Sequence, residues 1–139
     1  MLLCDSAQVA EGKLFILGAG WSMIGPNPAP SAVAIKIDVD WNQADIQHHW
    51  ELFLVDEDGQ AVLVDTPDGE KPIEVRGDFM VGKPPNIPEG SPIDVALAIN
   101  MMPMPLKHSS RFIWHFVIDG EMQEDWTLSF TTRPAENDL

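Results

Sequence analysis

Side chains along much of this chain alternate between apolar and polar with a period of two. Val33, Ile35, Ile37, Val39 and Trp41 are interleaved with Ala34, Lys36, Asp38 and Asp40, and Ile73, Val75, Gly77, Phe79 and Val81 with Glu74, Arg76, Asp78 and Met80. Phe112, Trp114, Phe116 and Ile118 repeat the pattern against Arg111, Ile113, His115 and Val117, and Trp126, Leu128 and Phe130 against Asp125, Thr127, Ser129 and Thr131. Extended backbone sends successive side chains to opposite faces, so each run reads as a strand with one dry face and one wet one. The helical period is nearly absent.

Further strands are expected at 2–9, 14–24, 48–56, 61–65 and 93–102, separated by Gly- and Pro-rich punctuation at 25–30, 58–59, 67–69, 82–92, 103–105 and 119–120. The expected fold is all-β: an antiparallel two-sheet sandwich of about eight or nine strands with Greek-key or jelly-roll-like connections. At most one short helical turn fits, at 42–47.

The chain has 139 residues, 45% of them hydrophobic and 22% charged, which is ordinary for one globular domain. A single domain over 1–132 with a flexible tail at 133–139 is expected. The one cysteine, Cys4, has no partner in the chain, no Cys/His spacing resembles a zinc site, and the N-terminus lacks the basic and apolar regions of a secretory leader. No apolar run reaches the about 18 residues a membrane span needs. A cytoplasmic protein is expected.

The net charge is −14, with acids crowded into 40–78 and 119–139. Such a field repels phosphate backbones and anionic lipid, so neither nucleic acid nor membrane is an expected partner.

Two hairpins carry register expectations. A two-residue Asp58-Gly59 turn sets Val55 opposite Val62 and Leu54 opposite Leu63. At Asp119-Gly120 the same turn would set Trp114 against Asp125, so an odd-length loop or a bulge is expected, with Trp114 opposite Trp126 and Phe112 opposite Leu128.

From Asp5 through Gly12-Lys13-Leu14-Phe15-Ile16-Leu17-Gly18-Ala19-Gly20-Trp21 the chain resembles a family of small, uncharacterised bacterial proteins. The likeness continues through 32–41, Leu54-Val55-Asp56-Glu57-Asp58-Gly59, Gly82-Lys83-Pro84-Pro85, Pro88-Glu89-Gly90, Ala98-Ile99-Asn100, Trp114, Ile118-Asp119-Gly120 and 126–130. The resemblance implies a compact all-β domain of bacterial, intracellular origin. It brings no activity or catalytic residues with it.

Three constellations could carry chemistry. If all strands run up and down, the acidic loops at 57–60 and 119–123 share an end and gather Asp56, Asp58, Asp119 and Glu121, the residue type that calcium-binding sandwiches use. Ca²⁺ is the one cofactor considered. The same parity places Asp45, His48 and His108 together at the other end, where a metal-dependent enzyme would need them; adjacent His48 and His49 leave opposite faces of a strand and cannot chelate one ion together. An interaction surface is the third, from the soft side chains of Met101, Met102 and Met104 and the stiff loop carrying Pro84 and Pro85.

Nucleophile and phosphate motifs are missing: Met23 stands where a dinucleotide loop needs its third glycine, and there is no Gly-x-Ser-x-Gly elbow or Walker lysine. Cys4, at a strand start, reads as a small buried apolar residue, and Trp41, Trp50, Trp114 and Trp126 as core. The leading expectation is a non-enzymatic binding or assembly module with a protein partner or a second copy of itself. A calcium-binding sandwich comes second and a metal-dependent enzyme third.

Overall fold

The alternating runs become strands of two facing sheets. The computed structural model describes residues 1–136. In chain order the strands are β1 (Leu2–Ala10), β2 (Lys13–Ala19), β3 (Met23–Ile24), β4 (Ser31–Val39), β5 (His48–Asp56), β6 (Leu63–Thr66), β7 (Gly69–Pro72), β8 (Glu74–Phe79), β9 (Ile93–Met101), β10 (Arg111–Ile118) and β11 (Thr127–Thr132). One 3₁₀ turn, Trp41–Gln43, lies within the expected helical stretch and its flank. One sheet has the order β2-β1-β4-β9, the other β3-β11-β10-β5-β8, and β6-β7 form a separate hairpin. The fold is thus an all-β sandwich, as the alternation predicts. Among the described residues no helix is long and apolar enough to cross a membrane.

The core fills the gap between the sheets. Leu3, Val33, Ile35 and Ile99 from one sheet meet Trp50, Leu52, Leu54, Phe112, Trp114, Phe116 and Phe130 from the other. Trp114 is 1% exposed, and each such large side chain contributes about 1.5–3 kcal/mol by leaving water. Gly77 stands in the apolar phase of β8 because the Trp50 ring opposite lies directly over it, where any side chain would collide.

A second, smaller cluster covers the outer face of the four-stranded sheet. Cys4, Ala7, Ala32 and Ala34 are buried there, with Leu14 and Ile16 of β2 packed on them. Small side chains let the β1-β2 hairpin coil back over its own sheet. Where β4 stops short of β1, Asn100 substitutes for a strand: its Nδ2 donates to the Ala7 carbonyl at 2.8 Å and its Oδ1 accepts the Ala7 N–H at 3.1 Å. Burial pushes the Cys4 thiol up, with Asp5 adding to the effect.

Several expectations are corrected. The single strand expected at 14–24 is broken after Ala19, and β3 crosses to the other sheet, where it pairs parallel with β11. Glycines with left-handed backbone flank the break, Gly18 at φ +61° and Gly20 at φ +90°, and the Asp5 carboxylate occupies the place a Gly18 Cβ would take. That carboxylate accepts the Trp21 indole N–H at 3.1 Å, and Trp21 packs edge-on against Phe130.

At the 58–59 hairpin the loop has three residues, not two. Val55 bridges Ala61 and the Val62 N–H donates to the Leu54 carbonyl, one step from the expected register. Asp56 caps this loop by accepting the N–H groups of Asp58 (2.9 Å) and Gln60 (3.0 Å). The slip turns Val62 towards the core and leaves Leu63 outside.

At 119–120 the turn is tight, with Ile118 and Glu121 exchanging both hydrogen bonds (3.0 and 2.9 Å). The expected bulge falls after it, over 122–125, and shifts the pairs to Trp114 with Leu128 and Phe112 with Phe130. Trp41 leaves the strand phase for the 3₁₀ turn, half-buried beneath the Lys83 ammonium, 5.2 Å from its ring centre. Of the expected tail, Arg133 is fixed by bonds from its N–H to Ile24 (2.8 Å) and from its guanidinium to Gly25 (3.0 Å), and 137–139 lie outside the described residues.

Register decides which loops meet. His48 pairs with Phe79, and Trp50 with Ile118, so the segments 40–47, 80–92 and 119–126 gather at one end, called here the His48 end. The segments 25–30, 57–62 and 102–110 gather at the other.

Candidate functional site

At the His48 end the two sheets part. Ile37, Phe79, Ile118 and Trp126 all sit in the inward phase of their segments, yet they stay half-buried. Between them lies a cleft of about 480 Å³ that runs into a second hollow of about 340 Å³, the two sharing Ile37, Asp38, Ile118 and Trp126. At the opposite end the space beside Gly25, Pro26 and His108 is about 20 Å³, room for about one water, while a separate hollow of about 420 Å³ lies among Asp56, Leu63, Leu106 and Phe112.

The cleft lies beside the part of β4 that β1 does not pair with. β4 pairs with β9 along its whole length, from Ser31 to Val39. It pairs with β1 only at Ala32, Val33 and Ala34. Met1 continues the line of β1 opposite the buried Ile35 and lines the smaller hollow, so residues 36–39 have a free edge, where alternate residues direct their N–H and C=O away from β9. Consecutive residues Ile35, Lys36, Ile37, Asp38, Val39 and Asp40 line the two hollows in turn. Because side chains alternate between faces, an unbroken run of neighbours on one wall means that the backbone edge itself forms that wall. Phe116, Ile118 and Trp126 form the wall opposite.

His48 fastens the end of this groove. Its ring is 5% exposed and packs on Phe79. Nε2 lies 2.9 Å from the Gln43 carbonyl and Nδ1 2.6 Å from Asp119 Oδ2. Both partners only accept, so both nitrogens carry protons and the ring is an imidazolium. The Gln43 carbonyl and then the Asp119 carboxylate raise the pKa of His48 against the opposing effect of burial. The same bond, together with the His49 N–H donated to Asp119 Oδ1 at 2.9 Å, holds the Asp119 carboxyl below its ordinary range. With both nitrogens engaged as donors, His48 has no lone pair to serve as a base. It ties the start of β5 to the 3₁₀ turn and the β10-β11 turn.

The groove is negatively charged. Asp38, Asp40, Asp119 and Glu121 line the cleft and Asp125 the hollow beside it. The imidazolium is matched by Asp119. Lys36 is held by Asp38 at 3.0 Å and Asp94 at 3.4 Å, which raise its pKa, Asp38 first. Asp40, Glu121 and Asp125 are exposed acids around an apolar floor.

The residues expected to form a calcium site are not brought together. Asp56 faces Phe112 at one end of β5 and Asp119 bonds His49 at the other, about 20 Å away at strand rise. Asp58 accompanies Asp56, and Glu121 accompanies Asp119. The parity expectation fails because β7 is an additional strand: the β6-β7 hairpin returns the chain to the end it left, and every later loop changes ends. His108 is parted from Asp45 and His48 for the same reason. Among the described residues no group of three or more His, Cys, Asp or Glu side chains is placed to hold a metal.

The expected interaction residues also divide. Pro84 and Pro85 belong to the loop at the His48 end. Met101 and Met104, at the other, pack partly on the core, and Met102 is 82% exposed. The groove itself was missed by the sequence reading. Its one sequence signal is Trp126, an inward-phase aromatic following the acids Glu121, Glu124 and Asp125.

The folding of Asp5 over Gly18 and onto Trp21, and the Asp119-Gly120 turn that reaches His48, give structural roles to residues of the opening and closing motifs. No curated protein and no solved structure matches the chain. A family model does match residues 1–131, nearly the whole described length, and the chain belongs to that family, described as Family of unknown function (DUF6941).

Proposed function

We propose that this chain is a non-enzymatic binding module that holds a segment of a protein partner in the groove at the His48 end. The observation that carries the reading is the free edge of β4 over 36–39 facing half-buried Ile118 and Trp126. Unpaired backbone groups beside incompletely covered apolar side chains are what peptide-binding sheets use. Non-enzymatic binding also fits His48, whose nitrogens are both engaged, and Cys4, which is buried away from the groove. A lone unpaired thiol suits a cytoplasmic setting.

The test is amide and indole NMR of the whole chain with pools of short peptides of neutral, acidic and basic composition. At least one pool should shift residues 36–39 and the Trp126 indole ahead of the rest of the spectrum. If no pool moves them at millimolar concentration, the reading is wrong.

A second reading, assembly of like copies, is favoured by a separate observation. β2 is a sheet edge, and it exposes Phe15 (54%) and Leu17 (71%). Edges normally carry charge or proline against such pairing, and β2 has only Lys13 at its start.

A further inference from the structure

Resting on the binding-module reading, we infer that the groove takes an extended protein segment with alternating basic and apolar residues, added as a strand to the free edge of β4 in line with β1. The position is fixed by pairing. β1 covers Ala34, Val33 and Ala32 with Leu2, Leu3 and Cys4, Met1 follows opposite Ile35, and residues 36–39 beyond them are open on that side while closed by β9 on the other. A strand laid there supplies the missing hydrogen bonds without moving anything in the sheet.

The side chains of the guest follow from those of the host. Residues opposite one another in neighbouring strands share a face. Guest residues opposite Ile37 and Val39 point into the groove, towards Ile118 and Trp126, and must be apolar. Guest residues on either side of them, opposite Lys36, Asp38 and Asp40, fall on the outward face. There Asp38 and Asp94 outnumber Lys36, which both already hold. At the mouth of the groove Asp40 and Glu121 are exposed and have no ion-pair partner among the described residues. Lysine or arginine fits these positions, and an acidic guest is repelled. The open edge spans three strand steps, about 10 Å, and one residue more reaches Asp40, so a guest of about five residues fills it.

The probe is the pentapeptide Lys-Val-Lys-Ile-Lys, capped at both termini, titrated into the whole chain by calorimetry and NMR. It should shift the amides of 36–39 and the Trp126 indole. A copy N-methylated at its ladder-forming amides should bind at least tenfold more weakly, because side chains and charge are kept while the strand bonds are lost. Glu-Val-Glu-Ile-Glu should not bind. Asp40→Asn with Glu121→Gln, both at exposed positions, should raise the dissociation constant at least fivefold at low salt. The inference is overturned if the N-methylated peptide binds as well as the parent, if spermidine alone reproduces the same shifts, or if the acidic peptide binds equally. A neutral or acidic peptide that occupies the groove when the basic one does not overturns the inference and leaves the binding-module reading standing; silence from every peptide removes both.

Discussion

Asp119 Oδ2 sits 2.6 Å from His48 Nδ1, and this pair joins three segments that the chain brings together from far apart. Asp119 makes two more bonds to the same strand, accepting the His49 N–H at Oδ1 and donating its own N–H to the His49 carbonyl at 2.8 Å. The turn at 119–120 and the start of β5 are thereby a single unit, and the groove wall built on Ile118 and Trp126 is held relative to β4.

Stability should depend on pH through this pair in two opposite directions. His48 has a raised pKa, so its contribution is complete below the ordinary histidine value of about 6.5 and is lost as pH rises through the higher folded value. Asp119 has a lowered one, so its contribution is complete above about 3.9 and is lost as pH falls through the lower folded value. The two contributions are complete together between those ordinary values. Urea titrations from pH 4 to 9 should show the alkaline decline, and Asp119→Asn should flatten it.

Asp119→Asn should also cost about 1–2 kcal/mol near pH 6, less than the full worth of a charged hydrogen bond because the Asp119 side chain is 44% exposed. In the same variant the His48 imidazole should titrate at lower pH by NMR. An unchanged His48 titration would show that Asp119 does not set its charge.

Trp114 and Trp126 belong to the same inward phase but differ in burial. Trp114→Ala should cost about 3–5 kcal/mol, a large share of the about 5–15 kcal/mol typical of a domain. Trp126→Ala, at the groove, should cost less than half as much and leave a cooperative unfolding curve. Equal losses would mean that the groove is closed in solution.

Gly18→Ala should destabilise by about 1–3 kcal/mol, because the new methyl takes the place of the Asp5 carboxylate and the backbone is left-handed there. The Trp21 indole proton should shift as its bond to Asp5 is lost. Asp5→Asn should keep that bond and the shift.

Leu17 tests the assembly reading. If copies pair through β2, light scattering of the parent protein should show a dimer and Leu17→Lys a monomer with an unchanged circular dichroism spectrum. A parent that is monomeric at high micromolar concentration contradicts this reading and leaves the groove untouched.

The sandwich was legible because alternation is a local property. Residues 33–39 and 112–118 state their inward faces without reference to any other strand, and both form as expected. Connections were less legible. Nothing in Gly69, Glu70, Lys71 and Pro72 has strand character, and they form β7 through pairing with β6 alone; this one unseen strand exchanged the ends of every later loop. The three-residue loop at 57–59 was hidden because both registers place apolar residues opposite one another. The His48-Asp119 pair spans 71 positions in sequence, and no spacing rule announces it. The groove was invisible for a further reason: it lies where β4 runs beyond its pairing with β1, and an unpaired edge leaves no mark on the residues of β4.

Hydrogen exchange at the β4 edge tests the central claim most directly. In the free protein, alternate amides of 36–39 should exchange fast, while those directed to β9 stay protected. Adding the capped Lys-Val-Lys-Ile-Lys peptide should slow the fast set by at least tenfold. Uniform protection of 36–39 before any peptide is added, or fast exchange unaltered at saturating peptide, would contradict it.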